Sequence, residues 1–357
     1  MKSKFKPLAL ISNDWHLKDD NIEQVWNLMT QKAKVAKTME IKTLIILGDV
    51  FHSRKAQSQR VLNAFRTIIK DILTYQGREV YCIAGNHDKV DGTTEQSFLT
   101  PFMDIPNFHL IEEWSKFSLE NLHFLAIPYF TEEEWIRHYN ESKSYGNVVL
   151  NKYAMPRKDI LLTHMAFDGS VNNNKMTQQS ERLNQKFFED YGLVLSGHYH
   201  NCHQVYQNTY HLPSICQNNF GEDDRKGFTV LYNDGSFDLV QSKFDKYLTW
   251  VWNTPVNNVT DIIRCYAEYL HDNDDHYAHL RVQLKGTKTE LEALDISELK
   301  EAGFKVEKIA TDVERTEINQ EIITIDHKSM IDKFEDFCDL HKIDFEEGVK
   351  YLKDWVV

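Results

Sequence analysis

Seven side chains able to bind a metal fall in five short clusters: Asp14-Trp15-His16, Gly48-Asp49, Gly85-Asn86-His87-Asp88, Thr163-His164 and Gly197-His198-Tyr199-His200. Each cluster closes a short apolar run that reads as a buried strand. Asp, Asn and His together give the mixed oxygen and nitrogen shell that suits a pair of divalent metals of the manganese or iron type. Two such ions about 4 Å apart can share a hydroxide, hold phosphate oxygens and neutralise the charge that grows as a phosphate ester is hydrolysed. A carboxylate must bridge ions that close, and Asp49 is the candidate. Asp14 with His16, and His198 with His200, are spaced two apart, so on an extended chain each pair points one way. Asn86 offers a neutral amide oxygen, and His164 completes the ligands. Gly48, Gly85 and Gly197 would let the backbone approach the metals without side-chain collision.

Adjacent residues at a strand end diverge, which leaves His87 free to give a proton to the leaving oxygen, oriented by a neighbour such as Asp88. His52, three residues after Asp49, can reach a non-bridging phosphate oxygen. One His or Asp at a strand end is more often a cap or a packed core residue. Five such clusters in one chain point instead to a shared centre.

The elements that must position these residues follow from hydrophobic periodicity. Leu8 to Ser12, Thr43 to Leu47 and Val80 to Ala84 read as strands. Between them lie two amphipathic helices, one with Ile22, Val25, Trp26, Met29, Ala33 and Ala36 on a face, the other with Val61, Leu62, Phe65, Ile68, Ile69, Ile72 and Leu73. Strand, helix, strand at this spacing predicts parallel strands with crossover helices. Further strands are expected at Leu122 to Ile127, Ile160 to Thr163, Leu193 to Ser196 and Gln204 to Tyr210, with a hairpin turning on Asn233-Asp234-Gly235. The whole is an α/β chain: a layered β-sandwich core flanked by helices over residues 1–243, with its functional groups at the carboxyl ends of strands. A small α/β unit follows at 244–320, with a strand at His279 to Leu284, a helix over Thr289 to Glu301 opened by a Thr289/Glu292 capping box, and a strand at Phe304 to Ala310. Residues 321–357 read as a helical tail, with Ile331, Phe334, Phe337, Cys338 and His341 on one stripe.

Bulk properties narrow the partners. The chain has 357 residues, 41% hydrophobic and 27% charged, room for about two domains and a sizeable core. No apolar stretch approaches the roughly 20 residues that cross a bilayer, and the start lacks a cleavage site, so no membrane association and a cytoplasmic location are expected. Five scattered cysteines without a Cys-x-x-Cys pair argue for reduced thiols. The net charge of -13 opposes nucleic acid, yet residues 241–357 hold about 15 Lys and Arg against about 25 Asp and Glu, leaving the front of the chain nearly balanced.

The combined string Asp-x-His, Gly-Asp, Gly-Asn-His-Asp, His, Gly-His-x-His resembles the calcineurin-type metallophosphoesterases over roughly residues 5–240. Within them, Gly48-Asp49-Val50-Phe51-His52-Ser53-Arg54, Phe188-Glu189-Asp190-Tyr191 and Pro213-Ser214 to Lys226-Gly227-Phe228 resemble the SbcD-type DNA-repair nucleases. Asp14-Trp15-His16-Leu17 is similar to phage recombination nuclease subunits, so the cytoplasm would be a host's if the chain is phage-encoded. The resemblance implies two divalent ions, Mn2+ or alternatively Mg2+. Asp14, His16, Asp49 and His200 would hold one, and Asp49, Asn86, His164 and His198 the other, with His87 as proton donor and His52 as phosphate contact. It implies exo- and endonuclease action on DNA, a cap at 245–320 narrowing the DNA approach, and helices at 329–356 docking on an SbcC-type coiled-coil ATPase. A homodimer is left open. Asn13 departs from the Ser more usual before the Asp, with little expected effect. Rival readings are a phosphoesterase for a small-molecule phosphodiester or phosphoprotein, and a non-catalytic scaffold, against which an intact ligand set and His87 argue.

Overall fold

The computed structural model describes residues 5–93, 96–144, 159–172, 176–177, 183–253, 259–272 and 277–311. The tail helices expected at 329–356, and most of residues 172–179, whose composition reads as a polar loop, lie outside the described residues. Contact density divides the described chain into a larger unit (5–250, 259–282 and 297–306) and a smaller one (251–253, 283–296 and 307–311).

Two six-stranded sheets make the body of the larger unit. The first runs β12 (Phe237–Gln241), β11 (Gly227–Tyr232), β1 (Pro7–Ser12), β2 (Thr43–Leu47), β3 (Glu79–Ile83), β4 (Phe108–Ile111). The second runs β5 (Ser115–Leu119), β6 (Leu122–Ile127), β7 (Ile160–Thr163), β8 (Leu193–Ser196), β10 (Thr209–His211), β9 (His203–Tyr206). Strands β1 to β4 pair in parallel, as do β6, β7 and β8.

Strand alternation sorts the core into layers. Ala9, Ile11, Ile45, Leu47 and Ile83 face Phe124, Ala126, Ile160, Leu162 and Leu195 between the sheets. Leu10, Leu44, Ile46, Val80 and Cys82 face the opposite way, onto helices α1 (Ile22–Thr38) and α2 (Gln59–Thr67). On the far side, Leu125, Ile127, Leu161 and Val194 pack against Trp135 of α3 (Glu132–Ser144), Phe167 and Phe188. A helix–sheet–sheet–helix stack results, because strands buried on both faces need cover on both.

Several expectations shift by a residue or split. The strand expected over Gln204 to Tyr210 is a tight hairpin, β9 and β10. The second helix widens after Thr67 into a π-type turn at Ile68–Leu73. Strands β4 and β5 and helix α3 escaped the periodicity, being short or strongly polar. The inward face of α1 is Val25, Leu28, Met29, Lys32 and Ala36, while Trp26 stays 37% exposed. The last strands, β13 (Lys246–Asn253), β14 (Tyr277–Gly286) and β15 (Lys305–Ala310), form a three-stranded sheet after α4 (Val259–Asp272). The single helix expected over Thr289 to Glu301 is two, α5 (Lys288–Ala293) and α6 (Ser297–Glu301). Its capping box is Thr287 with Glu290, not Thr289 with Glu292, which turns Leu291 inward in the first turn.

Lys32 is an unexpected core residue. Its Nζ lies 2.7 Å from Ser12 Oγ and 3.0 Å from the Ile45 carbonyl, beneath the first sheet. Burial pushes its pKa down to about 7, from an ordinary 10.5. Because the unfolded chain then binds more protons, stability rises with pH between about 7 and about 10.5. Urea melts across that range are expected to show wild type gaining on Lys32→Met by a few kcal/mol, because each tenfold change in proton affinity is worth ~1.4 kcal/mol. Parallel stability curves for the two proteins would contradict this account of Lys32.

Candidate metal centre

Register brings the clusters together. Ser12 pairs with Ile46, so the chain beyond β1 continues alongside the chain beyond β2, with Asp14 N donating to the Gly48 carbonyl at 3.0 Å. In the second sheet Thr163 pairs with Ser196, which sets His164 beside Gly197. The two sheets then meet at their carboxyl ends, where His164 Nδ1 donates to the Leu47 carbonyl at 2.6 Å.

The local backbone differs from the extended one expected. Asp14 (φ 52°), His16 (φ 45°), Asp49 (φ 51°) and His198 (φ 83°) all sit in the left-handed region. Non-glycine residues occupy that region only where surrounding structure enforces it, at a cost on the order of 1–3 kcal/mol each. Asp14 and His16 therefore converge through two left-handed steps around buried Trp15, whose Nε1 donates to Ser12 Oγ, rather than through strand alternation. The glycines also act differently. A Cβ on Gly85 would stand 2.2 Å from Asp49 N, and one on Gly197 2.5 Å from the Leu47 carbonyl and 2.8 Å from His164 Nδ1. They clear space for ligand side chains and neighbouring loops.

All seven candidate ligands converge. Asp14, His16 and His200 form one cluster, and Asp49, His164 and His198 another; Asp49 also joins His16 and His87, with donor atoms in each group within 4.8 Å of one another. His16 Nε2 is 3.0 Å from His200 Nε2 and 3.9 Å from Asp49 Oδ2, while His164 Nε2 is 3.2 Å from Asp49 Oδ1. Asn86 Oδ1 lies 3.1 Å from His164 Nε2 and 2.9 Å from His198 Nδ1. Asp49 thus touches both halves.

The electrostatics fit cations. Burial opposes charge on His164, but the carboxylates of Asp49 and Asp14 overcome it and push the ring up to about 9. Burial also opposes charge on Asp49, yet His164 holds it well below the carboxylate range. Burial followed by His164 takes His198 down to about 3, and burial followed by His200 takes His16 well below its ordinary value. Two buried carboxylates beside His16 and His198, whose charged forms are disfavoured, with His16 Nδ1 buried and lacking a hydrogen bond, leave a concentration of lone pairs that protons on His164 and on His200, which Glu222 and Asp14 push up against its burial, only partly offset. Oxygen and nitrogen donors in this mixture suit Mn, Fe or Mg ions.

His87 and His52 stand beside the ligands. His87 Nε2 is 4.0 Å from Asp49 Oδ2, and its Nδ1 lies 2.5 Å from the His52 carbonyl. Asp88 does not orient it: its carboxylate accepts from Phe51 N and Gly85 N, tying the loops after β2 and β3 together. Burial, then Asp49, pushes Asp88 up to about 7. The exposed His52 ring faces those of His16 and His87, with centroids 5.6 Å and 6.0 Å away. Three further residues gave no metal-binding signal in the sequence. Arg54 donates to His87 Nε2 at 3.2 Å, and Asn13 holds Asp14 Oδ2 at 2.5 Å while also reaching the Leu212 carbonyl. Asn13 thus orients a candidate ligand. Glu222, in the stretch ending at Lys226, contacts His200 Nδ1 at 2.8 Å.

Residues 8–202, just over half of the chain, match the family model described as calcineurin-like phosphoesterase. The chain belongs to that family. It is also similar to a protein of Invertebrate iridescent virus 6 named "Putative phosphoesterase 244L", 24% identical over 246 residues that cover 66% of this chain and 80% of that one. A solved structure described as GAP50, the anchor in the inner membrane complex of Plasmodium, aligns with TM-score 0.38 and 13% identity over 72% of this chain and 93% of its own, too loosely to argue from. The phosphoesterase is thus a hydrolase by family, with candidate ligands for the paired metals such enzymes bind. Among the described residues, no helix is long and apolar enough to cross a membrane.

Two outcomes are expected. Metal entering the site displaces the proton on His164, so Mn2+ binding at pH 7 releases protons, release fades above about pH 9, and affinity falls as pH drops below it. Calorimetry in buffers of different ionisation enthalpy measures this, and a buffer-independent heat at pH 7 would refute it. Gly85→Ala, by driving a Cβ into Asp49, should abolish Mn2+ binding while far-UV circular dichroism stays unchanged.

Proposed function

We propose that this phosphoesterase is a manganese-dependent DNA nuclease, the SbcD-type subunit of a recombination and repair complex. A bound pair of divalent cations supplies an activated water at neutral pH and cancels charge on the phosphoryl oxygens. Asp14, His16, Asp49 and His200 would hold one ion, and Asp49, Asn86, His164 and His198 the other. Asp49, in contact distance of both halves, would be the shared ligand.

His87 is the proton donor in this reading. Its Nδ1 donates to the His52 carbonyl, so Nε2, which accepts from Arg54 and lies 4.0 Å from Asp49, is the nitrogen that would take up a proton once the guanidinium turns to the phosphate and then pass it to the leaving oxygen. The His52 ring and the Arg54 guanidinium flank it and are suited to the non-bridging oxygens of a polymeric phosphodiester.

The observation that carries the nuclease reading is this trio of His52, Arg54 and His87 beside the centre, since every phosphoesterase reading shares the ligands themselves. Residues 244–320 would cap the DNA approach, the tail at 321–357 would dock on an SbcC-type coiled-coil ATPase, and the complex would act in the cytoplasm.

The purified chain with Mn2+ should digest linear DNA. His87→Ala should slow digestion about 10²–10⁴-fold, the usual range for losing a general acid, with metal content unchanged. Hydrolysis of small diesters with none of the polymer would favour the small-molecule phosphodiester reading instead.

A further inference from the structure

We propose that Glu222 and Lys226 are positioning residues that set the metal affinity of one half of the centre, the half built by Asp14, His16 and His200. The inference rests on the paired-metal reading of the site and is independent of whether DNA is the substrate.

The argument begins with the ring of His200. An imidazole binds a metal through a nitrogen lone pair, and which nitrogen carries the proton depends on what the other one meets. A carboxylate only accepts, so Glu222 Oε1, 2.8 Å from His200 Nδ1, keeps the proton on Nδ1. Nε2 is left to present its lone pair where it lies, 3.0 Å from His16 Nε2 and 3.9 Å from Asp14 Oδ1.

The two halves achieve this by different means. In the other half the His164 ring is locked by a main-chain group, the Leu47 carbonyl, which no side-chain substitution removes. In this half the lock is a side chain on the loop between β10 and β11. His16 gives no second lock, because its buried Nδ1 lacks a hydrogen bond.

Glu222 is itself held in place. The fully buried Lys226 ammonium lies 3.0 Å from Glu222 Oε2 and donates to the His200 carbonyl at 2.7 Å and Asn201 Oδ1 at 2.9 Å. Asn218 N and Asn219 Nδ2 donate to the same carboxylate. A buried Lys–Glu pair seldom improves stability over apolar residues of equal size, so packing alone gives a weak reason for one here. Both members instead converge on one residue: Glu222 grips the His200 ring and Lys226 its carbonyl.

The test is a manganese titration of the metal-stripped full chain, following free Mn2+ by electron paramagnetic resonance. Wild type should load two ions. Glu222→Leu should weaken one binding step by about 10–100-fold and leave the other unchanged. Glu222→Gln keeps an acceptor and the side-chain shape, so it should fold even where the Leu variant does not, with a smaller loss confined to the same step. Nitrogen-15 spectra of the histidines should show His200 protonated on Nδ1 in wild type. A folded Glu222 variant that loads both ions as wild type does, or a His200 protonated on Nε2, would overturn the proposal. Wild type that binds fewer than two ions would remove its foundation before any variant is made. A chain that loads in the expected pattern yet leaves DNA intact would support this inference and sink only the nuclease reading.

Discussion

The constraint on which the rest depends is the burial of two carboxylates, Asp14 and Asp49, among imidazoles where the sheets meet. An isolated anion in such a place is costly enough that a protein normally protonates it or surrounds it with partners. Here the partners are His164, His16, His87 and His200, with the backbone amides of His87 and His198 also directed at the two carboxylates. Without cations the cluster balances itself with protons, which is why His164 is driven up while His198 is driven down. A region that must carry protons to be tolerated is one that divalent ions can occupy with gain.

The scaffold explains how so strained an arrangement persists. Left-handed backbone at Asp14, His16, Asp49 and His198 is held by hydrogen bonds that extend the parallel pairing past the strand ends: Asp14 to Gly48, His16 to Asp49, Leu17 to Val50. Beneath them lie three apolar layers whose residues are almost wholly excluded from water. At about 25 cal/mol per Å² of apolar surface buried, such layers offset a few kcal/mol of local strain. Asp88 and Asn13 add buried cross-ties, the first joining the loops after β2 and β3, the second joining Asp14 to the chain beyond β10.

Much of this was legible in the residues. The seven ligand candidates, the strands that end at them and the α/β class follow from residue types that have few other joint uses, and from short, nearly continuous apolar runs separated by amphipathic helices. Elements without a clean period were hidden: β4 and β5 are short with exposed alternate residues, and α3 opens on three consecutive glutamates. The capping box fell two residues early because Thr287-x-x-Glu290 and Thr289-x-x-Glu292 overlap, and local sequence does not say which lets Leu291 turn inward.

By itself the sequence determined what could be assembled: which side chains can bind metal, how many strands deliver them, and that the family is one of phosphoesterases. The tertiary structure decided how they are aimed. The dependence of His87 on the His52 carbonyl rather than Asp88, the role of Asn13, and the grip of Glu222 and Lys226 on His200 all join residues far apart in the chain. Such pairings depend on which loops the sheet register brings alongside one another. Register is a cooperative property of both sheets together, so no window of sequence contains it.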